Sequence, residues 1–111
     1  MYAKGVQARE FAGFDWDDGN RRKCRRHGVS TADIEFVLGK GATLIVPDMR
    51  NSVIEPRFLG IGRTEVGRYI FVVFTPREIG GSIVLRPISA RFMHRKEIAK
   101  YEQEIARLAD R

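Results

Sequence analysis

The sequence predicts one α+β domain, in which two N-terminal helices precede a four-stranded antiparallel meander sheet and a C-terminal helix follows it. Apolar residues recur with a period near 3.6 in two early segments and one late segment, and with a period of 2 in four segments between them. The connections between the strand-like segments are too short for helical crossovers, which predicts antiparallel hairpins. We expect residues 1–13 to be a loose lead-in, residues 14–111 to form the single domain, and the helices to pack on one face of the sheet.

The first helix is predicted over residues 17–27. Asp15 or Asp17 can cap its N-terminus, and His27-Gly28 is typical of a helix end followed by a glycine in the left-handed conformation. The face predicted to turn inward carries Asn20, Cys24 and His27. The opposite face carries two i, i+4 pairs of like charge, formed by Arg21, Arg22, Arg25 and Arg26. Such pairs repel each other, so a bound anion would stabilise this face; a merely solvated basic face is the alternative.

Two further helices are predicted. Ser30, with Asp33 three positions later, approximates a capping box and begins a short second helix, which Gly39 and Gly41 end. Its apolar stripe consists of Ile34, Val37 and Leu38. The last helix is predicted over residues 94–108, and its apolar stripe consists of Ile98, Tyr101, Ile105 and Leu108.

Period-2 alternation predicts four strands, over residues 43–46, 53–61, 69–75 and 83–89. The third strand is apolar on both faces, which predicts a central strand that is covered on both sides. Pro56 and Pro87 interrupt their strands and indicate edges or bulges there. The glycine-rich residues 60–67 join two strands with no helix after them, which predicts a hairpin turn and not a phosphate-binding loop.

The composition excludes several classes of protein and site. One cysteine, Cys24, cannot form an internal disulfide, and only two histidines accompany it, so we expect a reduced interior without a metal or other cofactor. No nucleotide-binding loop, zinc-protease motif or nucleophile elbow occurs in the sequence. The first residues have no apolar leader pattern, and no run of about 18 apolar residues occurs, so we expect a cytoplasmic protein with no membrane partner.

The charge of the chain is positive and is carried mostly by arginine. There are 20 Lys and Arg residues against 14 Asp and Glu, which gives a net charge of +6, and 15 of the 20 are arginine. Arginine grips phosphate through two parallel hydrogen bonds, so this excess indicates recognition of phosphodiesters. A soluble basic protein without a specific ligand and a surface for an acidic protein partner are the alternatives.

Charged residues interrupt the otherwise apolar strands: Glu55, Arg57, Arg68, Arg77, Arg86 and Arg91. Each must be paired or exposed in a groove, because burying a charge without a partner is costly. One interpretation is structural, a cross-strand salt bridge that fixes the register. The functional interpretation is a basic groove that holds one carboxylate. Such a groove has the parts for metal-free RNA cleavage: a base for the 2′-hydroxyl proton, cations for the phosphate charge and an acid for the leaving oxygen.

The residue that moves protons is left open among Glu55, His27 and His94, since each histidine can instead serve a helix end. Trp16 and Tyr69 can stack on bases or pack in the core. The basic first helix is predicted to bind RNA phosphates through Arg22, Lys23 and Arg26. A noncatalytic RNA-binding module is the alternative function.

Several motifs, taken in order, make the sequence similar to a known family. The most specific are His27-Gly28-Val29, Glu55-x-Arg57, Gly67-Arg68, Phe74-Thr75-x-Arg77 and Ile88-Ser89-Ala90-Arg91. In these motifs the sequence resembles the BrnT toxins of bacterial type II toxin-antitoxin systems. By that resemblance, the family's recurring polar positions fall on Glu55, Arg57, Arg68, Arg77 and Arg91, followed by His27 and Lys23.

The resemblance implies a RelE-like fold and a ribonuclease that inhibits translation without a metal or other cofactor. The expected substrate is RNA, either free or bound to the ribosome. The expected partner is a ribbon-helix-helix, BrnA-like antitoxin, which neutralises the toxin in a heterotetramer.

Overall fold

The computed structural model describes residues 11–48 and 55–109. Its helices and strands, in chain order, are α1 (Asp18–Arg25), α2 (Thr31–Phe36), a π-helical turn (Val37–Gly41), β1 (Ala42–Pro47), β2 (Phe58–Arg63), β3 (Tyr69–Ile79), β4 (Ser82–Phe92) and α3 (Arg95–Ala109). The strands form one antiparallel sheet in the order β1-β2-β3-β4. This confirms the predicted α+β class and the meander. None of the helices in the described ranges is both long and apolar enough to cross a membrane.

The predicted caps of the first two helices are confirmed. Asp17 caps α1: its Oδ1 accepts the backbone N–H of Asn20 at 2.9 Å, and Asn20 Oδ1 accepts the backbone N–H of Asp17 at 2.7 Å. Ser30 caps α2 and accepts the backbone N–H of Asp33 at 3.0 Å. Gly28 has a φ of 88°, the left-handed conformation expected after the helix.

The predicted inward orientation of His27 is wrong. Asn20 and Cys24 are buried as expected, but α1 ends at Arg25 and His27 lies in the following turn with an exposed side chain. Helical periodicity holds only while the backbone is helical, so it fails to place a residue beyond the helix end.

The strands differ from the prediction in length. β2 begins at Phe58, after Pro56, and residues 53–54 of the predicted strand lie outside the described residues. β3 and β4 extend to a tight turn at Gly80 and Gly81, which have φ values of 59° and 83°. β2 pairs with β3 only as far as Phe74. At Pro76, β3 therefore pairs only with β4 among the described strands, and a proline is tolerated at such an edge.

The two faces of the sheet pack against different helices. One face carries Ile70, Val72 and Phe74 of β3, which are fully buried in one cluster with residues of α1, α2 and the π-helical turn. Alternate residues of β3 point the other way. On that second face, Tyr69 and Phe71 pack beside Tyr101 of α3. We call these the α1–α2 face and the α3 face.

The prediction that the helices pack on one face is therefore wrong, because α3 lies on the face opposite α1 and α2. The central position of β3 is confirmed, and its apolar pattern on both faces is explained by helices on both sides. Helix α3 packs at one end of the α3 face, around Leu44 and Ile61. At the other end, Leu59 and Val73 are only half-buried, which leaves part of the sheet accessible.

Helix α1 is held against the outer edge of β4. Residues 12–15 run beside β4 and form three backbone hydrogen bonds with Ile83 and Leu85, at 2.7 to 3.0 Å. The buried amide of Asn20 donates to the carbonyl oxygens of Asp15 at 3.0 Å and Pro87 at 2.7 Å. Pro87 adjoins a β-bulge. The consecutive residues Val73 and Phe74 pair with Ser89 and Pro87, which leaves Ile88 as the extra residue of β4. The predicted bulge or edge at this proline is thus confirmed.

We expect Asn20→Ala to lower the free energy of unfolding by about 2–3 kcal/mol, because the Pro87 carbonyl and the Asp17 N–H would lose buried partners. Urea unfolding followed by Trp16 fluorescence measures this. Arg22→Ala, an exposed substitution on the same helix, is the control and should change stability by less than about 0.5 kcal/mol. Equal effects of the two substitutions would contradict the anchoring role of Asn20.

Candidate functional site

Three of the arginines singled out from the sequence meet in one groove of about 680 Å³ beside the N-terminal half of α1. We call it the arginine groove. Its wall residues are Asp17, Asp18, Gly19, Asn20, Lys23, Glu55, Arg57, Thr75, Arg77, Arg86 and Ile88. The structure thus brings Glu55, Arg57 and Arg77 together, with Lys23 of α1 lining the same groove.

The arginines of this groove differ in how firmly they are held. Arg86 contacts Asp17 at 2.8 Å and Asp15 at 3.5 Å, and its side chain is only 19% exposed. The backbone N–H of Asn20 and the Arg86 guanidinium both lower the pKa of Asp17. Arg77 is 45% exposed and meets Glu55 at 3.5 Å, a long contact of the kind that adds little stability. Arg86 therefore serves the fold, whereas Arg77 can exchange its carboxylate for another anion.

The segment that carries Glu55 and Arg57 is fixed to the sheet by Thr75, a residue to which the sequence analysis assigned no role. Thr75 is buried, and its hydroxyl donates to the carbonyl oxygen of Pro56 at 2.5 Å. The Asp48 N–H also donates to the Arg57 carbonyl at 2.8 Å. These bonds place the side chains on either side of Pro56 at the end of the α3 face.

A second concavity of about 320 Å³ lies on the α3 face, and we call it the His27 pocket. Its lining residues are His27, Leu59, Phe71, Val73, Ser89, Ala90 and Arg91. Val73 lies two residues before Thr75 on β3, so the pocket and the groove are neighbours on one sheet surface. His27 and Arg91 thus share this pocket, next to the groove that holds Glu55.

Arg91 is held in place by Glu97 at the start of α3. Its two terminal nitrogens donate to the two Glu97 oxygens at 2.9 and 2.8 Å, and Nη1 also donates to the Phe92 carbonyl at 3.2 Å. The guanidinium lies 4.5 Å from the centre of the Phe71 ring. Glu97 also accepts the backbone N–H of His94 at 2.8 Å. These bonds lower the pKa of Glu97 to about 2 and raise that of Arg91.

Sequence reasoning missed Glu97, although a signal for it existed. A glutamate three residues after a helix cap often accepts the backbone N–H of the cap residue, and His94 and Glu97 have that spacing. His94 itself is exposed and lines neither concavity.

Two of the candidate residues lie elsewhere. Arg68 lies over the Phe92 ring, 3.6 Å from its centre, and Phe92 packs against the cluster of the α1–α2 face. Tyr69 lies under α3, where its hydroxyl donates to Glu102 at 2.9 Å and its ring meets Tyr101 edge-on at 5.5 Å between centres. Desolvation and the Glu102 bond raise the pKa of Tyr69. Neither residue joins the groove or the pocket.

The outer side of α1 forms a third, strongly basic surface, which we call the α1 basic surface. A shallow concavity of about 530 Å³ there is lined by Asp18, Arg21, Arg22, Arg25 and Arg26. None of the four arginines forms an ion pair with a residue in the described part of the chain. Asp18 lines both this surface and the arginine groove, so the two are continuous around the first turn of α1.

A model of a protein family described as the ribonuclease toxin BrnT of type II toxin-antitoxin systems matches residues 16–97. The chain belongs to this BrnT family. The matched range runs from the residue before the cap of α1 to Glu97 and includes every residue that lines the groove and the pocket. The sequence has no significant match among curated proteins. At the level of the family, the chain is a ribonuclease toxin whose partner is an antitoxin and whose substrate is RNA.

Cysteine and metal-ligand chemistry find no support in the described residues of this BrnT family member. Cys24 is fully buried, and desolvation raises the pKa of its thiol to about 11, so the thiol stays protonated at neutral pH. Within residues 11–48 and 55–109, no three His, Cys, Asp or Glu side chains cluster in a way that could hold a metal ion.

The Arg91–Glu97 pair should give the stability a specific pH dependence. The pKa of Glu97 falls from an ordinary value of 4.5 to about 2 on folding, so the pair stabilises the fold fully above pH 4.5. That contribution should be lost as the pH falls from 4.5 to about 2. Glu97→Gln should therefore weaken the pH dependence in this window, as measured by urea unfolding at several pH values. Glu65→Gln, in the exposed turn after β2, is the control; the same pH dependence in wild type and Glu97→Gln would contradict the pairing.

Proposed function

We propose that the protein is a metal-independent endoribonuclease that inhibits translation. The observation that carries this proposal is the arginine groove, where Glu55 lies among three arginines, with Arg77 exposed, beside an accessible part of the sheet. Membership of a ribonuclease toxin family supports the same activity. Preorganised cations around a scissile phosphate are among the largest sources of rate enhancement in such reactions.

In the proposed reaction, Arg57 and Arg77 hold the non-bridging oxygens of one phosphodiester and stabilise the negative charge that gathers there. Glu55 takes the proton from the neighbouring 2′-hydroxyl, and the 2′-oxygen attacks the phosphorus. The bond from phosphorus to the 5′-oxygen then breaks, and that oxygen takes a proton from an acid, for which His27 at the rim of the adjacent pocket is our candidate. The products are a 2′,3′-cyclic phosphate and a 5′-hydroxyl end.

The Glu55–Arg77 contact supports this assignment of Glu55. A carboxylate that neutralises an exposed arginine occupies the position that a phosphate would take. When RNA binds, the phosphate replaces the carboxylate on Arg77 and leaves Glu55 beside the substrate. Glu55→Gln should therefore remove the base and weaken the competition for Arg77 at the same time.

Purified protein should cleave single-stranded RNA in the presence of EDTA, and Arg57→Ala or Arg77→Ala should reduce the rate by about 10²-fold or more, because each removes a cation from the phosphate. Gel analysis of a labelled RNA measures the rate. Arg95→Ala, an exposed arginine at the start of α3 outside the groove, is the matched control and should cleave at the wild-type rate. Cleavage that EDTA abolishes would contradict the metal-free mechanism, and equal cleavage by all the variants would indicate a contaminant.

Two variants, Arg57→Ala in the groove and Arg91→Ala in the pocket, test whether these residues are needed for toxicity. Expression of the wild-type chain should arrest growth and protein synthesis, while Arg57→Ala and Arg91→Ala chains expressed at equal levels should not.

We propose that the antitoxin has a ribbon-helix-helix fold and forms a heterotetramer with the toxin, and that the RNA is cut free or on the ribosome. Co-expression of the antitoxin should restore growth.

We further propose that the α1 basic surface binds the RNA backbone where it leaves the groove on the side of α1. Its four arginines lack carboxylate partners among the described residues, unlike Arg77, Arg86 and Arg91 on the sheet. The like charges one turn apart repel each other, and phosphates would relieve that repulsion. Lys23, which lines the groove itself, continues the basic path inward.

The double variant Arg22→Gln/Arg26→Gln should bind RNA more weakly and with a shallower salt dependence. The slope of log affinity against log salt should fall by about 1.4, since each phosphate contact with a single strand contributes about 0.7. Fluorescence anisotropy with a short 2′-O-methyl RNA, which lacks the nucleophilic hydroxyl, measures this over a series of KCl concentrations. The control, Lys96→Gln/Lys100→Gln, removes the same charge from exposed positions on α3 and should leave the slope unchanged. Equal slopes in the two double variants would contradict the proposal.

A further inference from the structure

The His27 pocket has an apolar floor and a polar rim. Leu59, Phe71 and Val73 form the floor, and all three are half-buried. Ser89, His27 and Arg91 stand around the floor and offer a hydroxyl, an imidazole and a guanidinium. A concavity of about 320 Å³ is at the small end of ligand sites. Flat apolar faces with hydrogen-bonding edges are the property of an unpaired nucleobase.

The pocket lies at the right place for a base next to a bound phosphate. Cross-strand pairing puts Leu59, Val73 and Ser89 in one row on the α3 face, and Thr75 and Arg86 in the adjacent row toward the groove. The two rows are two residues apart along β3, roughly 7 Å. A phosphate on the groove arginines and its neighbouring base can therefore reach both sites at once.

Arg91 is prepared for this role by Glu97. Of the five N–H donors of a guanidinium, Glu97 takes two and the Phe92 carbonyl takes a third. The group is thereby fixed over the Phe71 ring, 4.5 Å from its centre. Bases in RNA complexes stack on aromatic rings and on guanidinium planes alike. The Nε–H and one Nη2–H of Arg91 have no partner among the described residues, so they stay available to an acceptor on the ligand.

We propose that the His27 pocket binds one unpaired nucleobase of the RNA strand whose phosphate lies in the arginine groove, and that Glu97 is the positioning residue that holds Arg91 at its wall. This rests on the proposed function for the choice of RNA as ligand. The pocket selects which nucleotide flanks the cut, through stacking on the Arg91 guanidinium, apolar contact with the floor and hydrogen bonds at Ser89 and His27.

The experiment is a scan of abasic sites, and it measures binding instead of cleavage. Short 2′-O-methyl RNAs, each with one base removed, are compared with the intact RNA by anisotropy. One position should show a loss of affinity between about 5-fold and 150-fold, the range for the loss of one stacked base. If the affinity does not depend on the base at any position, the proposal is overturned.

Val73→Phe then assigns the affected base to the pocket. The larger side chain fills the floor, so the abasic penalty at that position should disappear in this variant. Val66→Phe makes the same change in the turn after β2, where Val66 is 82% exposed, and should keep the full penalty. A penalty that Val73→Phe also keeps in full would overturn the proposal.

Two further variants keep the test decisive if Val73→Phe fails to fold. Ser89→Ala should change the relative affinities for the four bases at that one position and leave the abasic RNA bound as before. Glu97→Gln should reduce the abasic penalty and leave the salt dependence of binding unchanged, which a general loss of structure would not do. Unaltered base preference in Ser89→Ala together with an unaltered penalty in Glu97→Gln would overturn the proposal.

Failure of the pocket and failure of the nuclease give different results. RNA that is bound with an abasic penalty but is never cut would leave the pocket standing and refute the enzyme. RNA that is cut without base preference would refute the pocket alone. A pocket filled by a side chain of the antitoxin would show no abasic penalty, and Val73→Phe would weaken antitoxin binding; that result also overturns the proposal.

Discussion

The attachment of α1 to the edge of β4 is the constraint on which the rest of the site depends. Asn20 ties the helix to the Pro87 carbonyl, and Arg86 ties it to the Asp17 carboxylate that also caps the helix. One wall of the arginine groove is the helix and the other is the sheet, so the groove exists only while these bonds hold. The capping of α1 and the geometry of the groove are thus a single arrangement, since Asp17 takes part in both.

The arginines divide into two groups by the partners that the fold provides. Arg86 and Arg91 each meet well-placed carboxylates, and these bonds fix secondary-structure elements as much as they neutralise charge. Arg77 has a distant carboxylate in an exposed position, and the arginines of the α1 basic surface have none among the described residues. Charge in this chain is therefore left available where a polyanion could approach and is compensated where helices meet the sheet. Net charge alone would not have shown this division.

The sequence predicted the local structure better than the way the elements meet. The caps at Asp17 and Ser30 and the meander followed from short-range patterns, because each depends on residues a few positions apart. The position of α3 on the face opposite α1 and α2 did not, although the third strand is apolar on both sides and was predicted to be covered on both. That pattern is equally typical of a helix on each face and of a sheet covered by other chain segments.

The candidate site was also predicted best where it depends on short-range patterns. The meeting of Glu55, Arg57 and Arg77 matched the expectation that charges on strands converge, because residues that follow one another with period 2 share a face. The roles of Glu97 and Thr75 were not predicted, because they depend on how elements meet: Glu97 of α3 contacts Arg91 of β4, and Thr75 of β3 contacts the segment before β2. Arg68 and Tyr69 adjoin each other but point to opposite faces, and neither reaches the groove.

The single extra residue in β4 determines where two of these charges point. Arg86 and Arg91 are five positions apart, an odd spacing that in a regular strand would send them to opposite sides. The bulge before Ser89 reverses that parity, so Arg86 joins the side of Arg91 while Leu85 and Pro87 turn into the core. If Ile88 were instead paired as part of a regular strand, the alternation would turn one of the two guanidinium groups into the interior. The bulge between Pro87 and Ser89 is therefore what allows both arginines to lie on the side of the sheet that we propose for RNA.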